Sequence, residues 1–276
     1  MTEIAFWCTA LARPWTWAWI AYPGIWLSAI IPAVVYVRVI RTGERATSKR
    51  QIALFMVGMA VYWLATDWPL GTLGAGYLAS AHMLQYLLYT LVAAPLILLG
   101  TPRWMAESVL RRLRLSRIAS SMGRSLVLAG LTYNLLMIST HAPVTVDTLR
   151  VSQVGSLVMD VLWLLAGFIL WWPVIAPIVE MRHPRTPSKI AYLFLTTTVV
   201  AILPASFLTF ANFPLYATYE LAPRIGGMSS INDQQLAGLI MKLVTPIVVW
   251  PSMAVMWFRW SAREGEHTEG ATLPRT

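Results

Sequence analysis

SAHMLQYLLYTLVAAPLILLG, residues Ser80 to Gly100, is a run of 21 residues without a charge. At about 1.5 Å per residue, a helix of that length spans about 30 Å, the thickness of a bilayer's hydrocarbon core. The run predicts a membrane-crossing helix over Ala81–Leu99. Its head departs from a lipid-facing pattern, because His82 and, one turn later, Tyr86 stand where leucines would serve. The whole chain has only four histidines, so one placed here asks for a reason.

Composition extends the reading to the rest of the chain. Hydrophobic residues make up 57% and charged residues 12%, with a mean hydropathy of +0.61. A soluble domain carries about 25% charged residues. The chain therefore reads as an integral membrane protein, and an all-α helical bundle meets the demand that backbone polar groups be satisfied inside lipid. Fourteen Trp and ten Tyr suit interfacial belts, where membrane lipid is the first partner. The single Cys8 leaves no internal disulfide and no cysteine-only metal site.

The net charge of +9 raises nucleic acid as a partner, but its distribution excludes it. Seventeen of the 21 basic residues fall in four short segments, around Arg38–Arg50, Arg103–Arg124, Arg182–Lys189 and Arg259–Arg275. These alternate with nearly uncharged stretches, which is the signature of positive-inside topology. Seven spans are predicted: Trp15–Val37, Ile52–Trp68, Ala81–Leu99, Ser125–Ser139, Gly155–Ile178, Ile190–Tyr216 and Leu236–Trp260. The basic loops follow the first, third, fifth and seventh, so the N-terminus is expected outside and the C-terminus inside. Residues 1–260 form one transmembrane domain in this reading, and 261–276 a polar, disordered cytoplasmic tail. The first span lacks a basic leader and a small-residue cleavage pattern, so it is expected to be retained. Prolines inside the spans, such as Pro95 and Pro204, are expected to kink a packed bundle.

With that orientation, the polar and ionisable residues at membrane depth gather in the outer half. Asp67 ends the second span and His82 begins the third; Asn134 and His141 lie towards the outer end of the fourth. Asp160 lies one to two turns into the fifth, while Asp233 caps the seventh and Lys242 follows it. Such groups are costly in lipid and face the bundle interior, which makes them functional candidates. Imidazoles suit copper or zinc, and a thioether such as Met83 suits copper(I). The competing reading is structural: Asp233 as an N-cap of its own helix, Asp67 in a turn with Trp68-Pro69, and Lys242 snorkelling or paired with Asp160. No phosphate loop, nucleophile elbow or zinc-protease motif occurs, so catalytic turnover is not expected.

Several stretches carry a family resemblance. His82-Met-Leu-Gln-Tyr-Leu-Leu, continuing through Ala94-Pro-Leu-Ile-Leu-Leu-Gly-Thr-Pro102, resembles the signature of the CtaG-type, caa3-associated cytochrome c oxidase assembly factors. His141-Ala-Pro143, the Gly167–Pro173 end of the fifth span, Asp233–Met241 and Asp67-Trp-Pro-Leu fit the same family in order. The resemblance implies a multi-pass protein of the bacterial inner membrane that helps mature a haem–copper oxidase. Copper is the implied metal, handled on the outer face, with oxidase subunits and a copper chaperone as implied partners. The chain also departs from the family pattern. Tyr86 stands where the family carries a second histidine, Ser156 and Asp160 stand at another histidine pair, and Lys242 replaces an aromatic residue. The ligand set that remains, His82, His141, Asp160 and Met83, is thinner. Three readings stay open: a working assembly factor, an accessory oxidase subunit that has lost metal binding, and a transporter of metal or small solute.

Overall fold

The computed structural model describes residues 4–43 and 45–272, with side chains as far as residue 264. Pro23 occupies the start of the first helix, α1 (Pro23–Thr42), where its fixed φ and missing N–H cost nothing. The span predicted over Trp15–Val37 thus begins eight residues late. The residues before Pro23 are apolar but extended. Ala5 N–H donates to the Ala21 carbonyl at 3.1 Å beside an isolated bridge between Ile4 and Ala21. This N-terminal strap folds over one end of the bundle, with Trp7, Cys8 and Tyr22 buried.

A capping box between Ser48 and Gln51 opens α2 (Lys49–Thr66). The turn at Asp67-Trp68-Pro69 leads, with a bend of 47°, into α3 (Leu70–Gly76). Next comes α4 (Ala79–Gly100), the helix read first from sequence. Its turn Leu88–Ala93 is widened into a π-helix just before Pro95, which has no N–H to continue the regular ladder. Two short helices replace the expected basic loop, α5 (Arg103–Arg112) and α6 (Ser116–Arg124). They are followed by α7 (Leu126–His141), α8 (Pro143–Leu149) and α9 (Gln153–Ile175). The chain ends with α10 (Thr186–Phe210), α11 (Ala217–Glu220) and α12 (Ser230–Thr272).

Five helices, α1, α4, α9, α10 and α12, are long and apolar enough to cross a membrane, and the bent pair α2–α3 makes a sixth if it is one span. The remaining predicted span is the apolar but shorter α7, of 16 residues. Each expected span thus corresponds to an apolar helix, with five to six meeting the full length. Residues 261–272 of the expected tail continue α12 as helical backbone; residues 273–276 lie outside the described ones.

The central element is α4, 67% buried against 17% for α12, with α2, α3, α9 and α12 packed around it. Two glycines allow these approaches. A Cβ on Gly74 would sit 3.1 Å from the His82 Cα, and one on Gly167 would sit 2.8 Å from the Thr90 Cα. The basic loops meet at one end of the bundle. There Arg103 pairs with Glu180 at 2.8 Å, and a Cβ on Gly43 would lie 3.8 Å from the Trp104 ring. The strap, α3, α8, α11 and the start of α12 close the other end, above His82 and His141.

Candidate functional site

On α4, His82, Gln85, Tyr86 and Tyr89 share one face, following the three- and four-residue steps of a helix. On α9, Ser156, Asp160 and Trp163 do the same. The two faces meet at Trp163, which is fully buried. Its ring centroid lies 4.7 Å from that of His82, 5.6 Å from Tyr86 and 5.9 Å from His141. His141, the last residue of α7, enters from the side and brings its ring within 5.8 Å of His82, nearly perpendicular to it. The two histidines singled out from sequence are therefore neighbours in a closed aromatic setting.

The hydrogen bonds define which nitrogen of each ring is free. His141 Nδ1 lies 2.7 Å from the Met137 carbonyl, which can only accept, so Nδ1 carries the proton. His82 Nδ1 lies 2.7 Å from the Tyr219 hydroxyl. That hydroxyl donates its single proton to the Gly74 carbonyl at 2.7 Å, so it accepts from His82 Nδ1–H. In both neutral rings the lone pair is then on Nε2. Both Nε2 atoms are buried and have no hydrogen-bond partner among the described residues. Fixing Nδ1 by a hydrogen bond and presenting Nε2 is how proteins orient imidazole ligands.

Beside the histidines lies an ion pair absent from the sequence expectations. Arg150, which ends α8, is completely buried (0% exposed), and its Nη1 lies 3.2 Å from Asp160 Oδ1. Its guanidinium also lies over the Trp163 ring, 4.9 Å from the centroid. The strap completes the arrangement. Trp7 Nε1–H donates to Asp160 Oδ2 at 2.8 Å, while Ala10 N–H and the Thr9 hydroxyl donate to the Arg150 carbonyl at 2.9 and 2.8 Å.

The other candidates take different places. Asp160 is held by Arg150 and Trp7 rather than offered to the histidines. Met83 is buried, but as the neighbour of His82 on a helix it projects about 100° further round the axis. Tyr86 places its ring 4.6 Å from His141, yet its hydroxyl is 2.9 Å from that of Tyr133. Asp67 accepts from Trp26 Nε1–H and Trp68 N–H, at 2.9 Å each, in its turn. Asn134 is half-buried on α7 and its Oδ1 has no hydrogen-bond partner among the described residues. Asp233 does not cap its own helix. It accepts from Ala79 N–H at 2.6 Å, Ser80 N–H at 3.2 Å and the Ser80 hydroxyl, and so caps α4, because α12 packs against the head of α4. Lys242 lies over the Phe210 ring, 4.7 Å from Nζ to the centroid, and Asp160 has Arg150 as its partner instead. No group of three or more His, Cys, Asp or Glu converges in metal-binding geometry among the described residues.

Arg150, Trp163, Tyr219, Trp7 and Gly74 complete the site and were not anticipated. Of these, only Arg150 carried a signal, as a basic residue outside the four clusters. A family model described as cytochrome c oxidase caa3 assembly factor (Caa3_CtaG) matches residues 33–263. No curated protein and no solved structure matches significantly.

Proposed function

This chain belongs to the cytochrome c oxidase caa3 assembly factor family, and from that premise we propose that it passes copper(I) to a haem–copper oxidase during maturation of the metal centres. The observation that carries this reading is the pair of buried Nε2 lone pairs on His82 and His141, with ring centroids 5.8 Å apart. Copper(I) accepts two-coordinate ligation by soft or borderline donors, whereas zinc sites take four ligands or three with a water. Arg150 beside the site raises the energy of any cation there, and in proportion to its charge, so it favours the monovalent ion. Copper is cargo in this reading, and the protein's part is to present two oriented imidazoles.

In this reading the histidine end lies at the outer face of a bacterial inner membrane, and the clustering of basic residues at the opposite end of the bundle supports it. There the partners are oxidase subunits that receive copper and a chaperone that brings it. No turnover chemistry is needed. The test is a competition for copper(I) between the purified protein and a chelator, repeated with His82→Ala and His141→Ala. Stoichiometric binding lost in both variants is the expected result; binding that survives both sinks the assignment.

The engagement of Asp160 by Arg150 and Trp7, which withdraws that carboxylate from the histidines, favours a second reading, an accessory oxidase subunit built on the same scaffold. It predicts stoichiometric co-purification with mature oxidase. Recovery with immature subunits alone counts against it and for the first.

A further inference from the structure

At the end of the bundle opposite the histidines, α5 and α6 form a short hairpin that lies over α1, α4 and α9. Under it runs a groove of about 770 Å3 whose walls include Val35 and Tyr36 of α1, Ile97 of α4, Met105 and Val109 of α5 and Phe168 of α9. The groove is preformed. Trp172 Nε1–H donates to the Ala119 carbonyl at 2.8 Å, holding α6 to α9, and Arg103 pairs with Glu180 at 2.8 Å, holding α5. Tyr36 stacks on Phe55 at 3.9 Å to form the floor.

The apolar lining is broken by Thr101, Ser108 and Arg112. Arg112 stands at the edge of the groove and is the one charged residue of its lining. The same hairpin carries Arg111, Arg114 and Arg117, all exposed and, like Arg112, without a carboxylate partner among the described residues. An apolar channel edged by a cluster of guanidiniums that lack a carboxylate partner among the described residues has the polarity of an anionic amphiphile. Basic clusters at a membrane boundary attract anionic lipid headgroups.

We propose that this groove is a binding site for an anionic phospholipid, with one acyl chain beneath the α5–α6 hairpin and the phosphate at Arg112. The volume falls in the range of about 300–1,000 Å3 typical of ligand pockets. A neutral phospholipid satisfies the apolar walls but leaves the arginines without a counter-charge. The charge of the headgroup therefore sets the preference, and the groove sets the position.

The test uses the full chain in detergent with phosphatidylglycerol or phosphatidylcholine, read by retention in native mass spectrometry. Phosphatidylglycerol with a photoreactive acyl chain maps the contact. Retention of phosphatidylglycerol at least tenfold above phosphatidylcholine is expected, with crosslinks on the peptides of Met105 and Phe168. R112Q should remove most of that preference, R50Q should leave it intact, and V35W, which plugs the groove from α1, should lower retention of both lipids. Equal retention of the two lipids, crosslinks spread evenly over the lipid-facing helices, or a preference unchanged in R112Q would each overturn the proposal.

Discussion

The Nδ1 of His82 and the hydroxyl of Tyr219 lie 2.7 Å apart although 137 positions separate them in the chain. Because the Gly74 carbonyl takes the tyrosine's proton, this contact decides that His82 presents Nε2 to the interior. Tyr219→Phe keeps the ring and removes the acceptor. Copper(I) affinity should fall about 10–100-fold, the range for losing the outer partner of a ligating histidine. Nitrogen-15 spectra of labelled histidine should show His82 passing from one tautomer to a mixture. An unchanged tautomer would separate Tyr219 from the orientation of the ring.

Arg150 and Asp160 are both buried, so removing either charge strands the other. Asp160→Asn should lower the stability of the detergent-solubilised protein by about 3–5 kcal/mol. Adding Arg150→Met should recover most of that loss, since the pair as a whole contributes little net stability. A thermal melt of the single and double variants checks this. Equal melting of D160N and the parent protein would mean that solvent reaches the pair.

Cys8 lies in the strap, outside the spans, with its thiol donating to the Thr66 carbonyl at 3.4 Å. Burial pushes the Cys8 thiol far above its ordinary value, partly offset by the Thr72 hydroxyl. The reactive thiolate is therefore not formed as pH rises through the usual cysteine range. Maleimide should leave the folded protein unlabelled from pH 7 to about 9 and label it fully once unfolded, while an exposed cysteine of pKa about 8.5 gains reactivity across that window. Rapid labelling of the folded protein would show that the strap lifts.

Gly74→Ala tests the contact between α3 and α4. Its Cβ would displace the Gln85 Oε1 and sit 3.1 Å from the His82 backbone, so the head of α4 must give by a few tenths of an ångström. The cost should be about 1–3 kcal/mol, as for other overpacked sites, and copper(I) binding should weaken with it. Gly226→Ala is a useful contrast, because a Cβ there meets nothing within 4 Å and only the strain of its positive φ remains.

How much of this was legible in the sequence depended on whether the signal was local. The apolar runs behind α4, α7, α9 and α12 stood out because lipid imposes composition residue by residue. The start of α1 did not, since Trp15 to Ala21 are as apolar as a helix while lying across the end of the bundle, and only Pro23 marks the change. His82 and His141 were visible as rare polar residues at membrane depth. Tyr219 and Trp7 were not, because an aromatic residue in an outer segment looks like any interfacial anchor until its partner is known. The same holds for the carboxylates. Asp233 was read as a cap, which it is, but for α4, and no spacing along the chain records which helix end lies alongside it.

The strap's attachment also bears on the order in which the protein is made. Trp7 reaches its partners Gln153 and Asp160 across 146 and 153 positions, so neither exists when the first helix leaves the ribosome. The segment made first can therefore seat only after more than half of the chain has been synthesised and α9 has been inserted. Until then the histidine end stays unsealed.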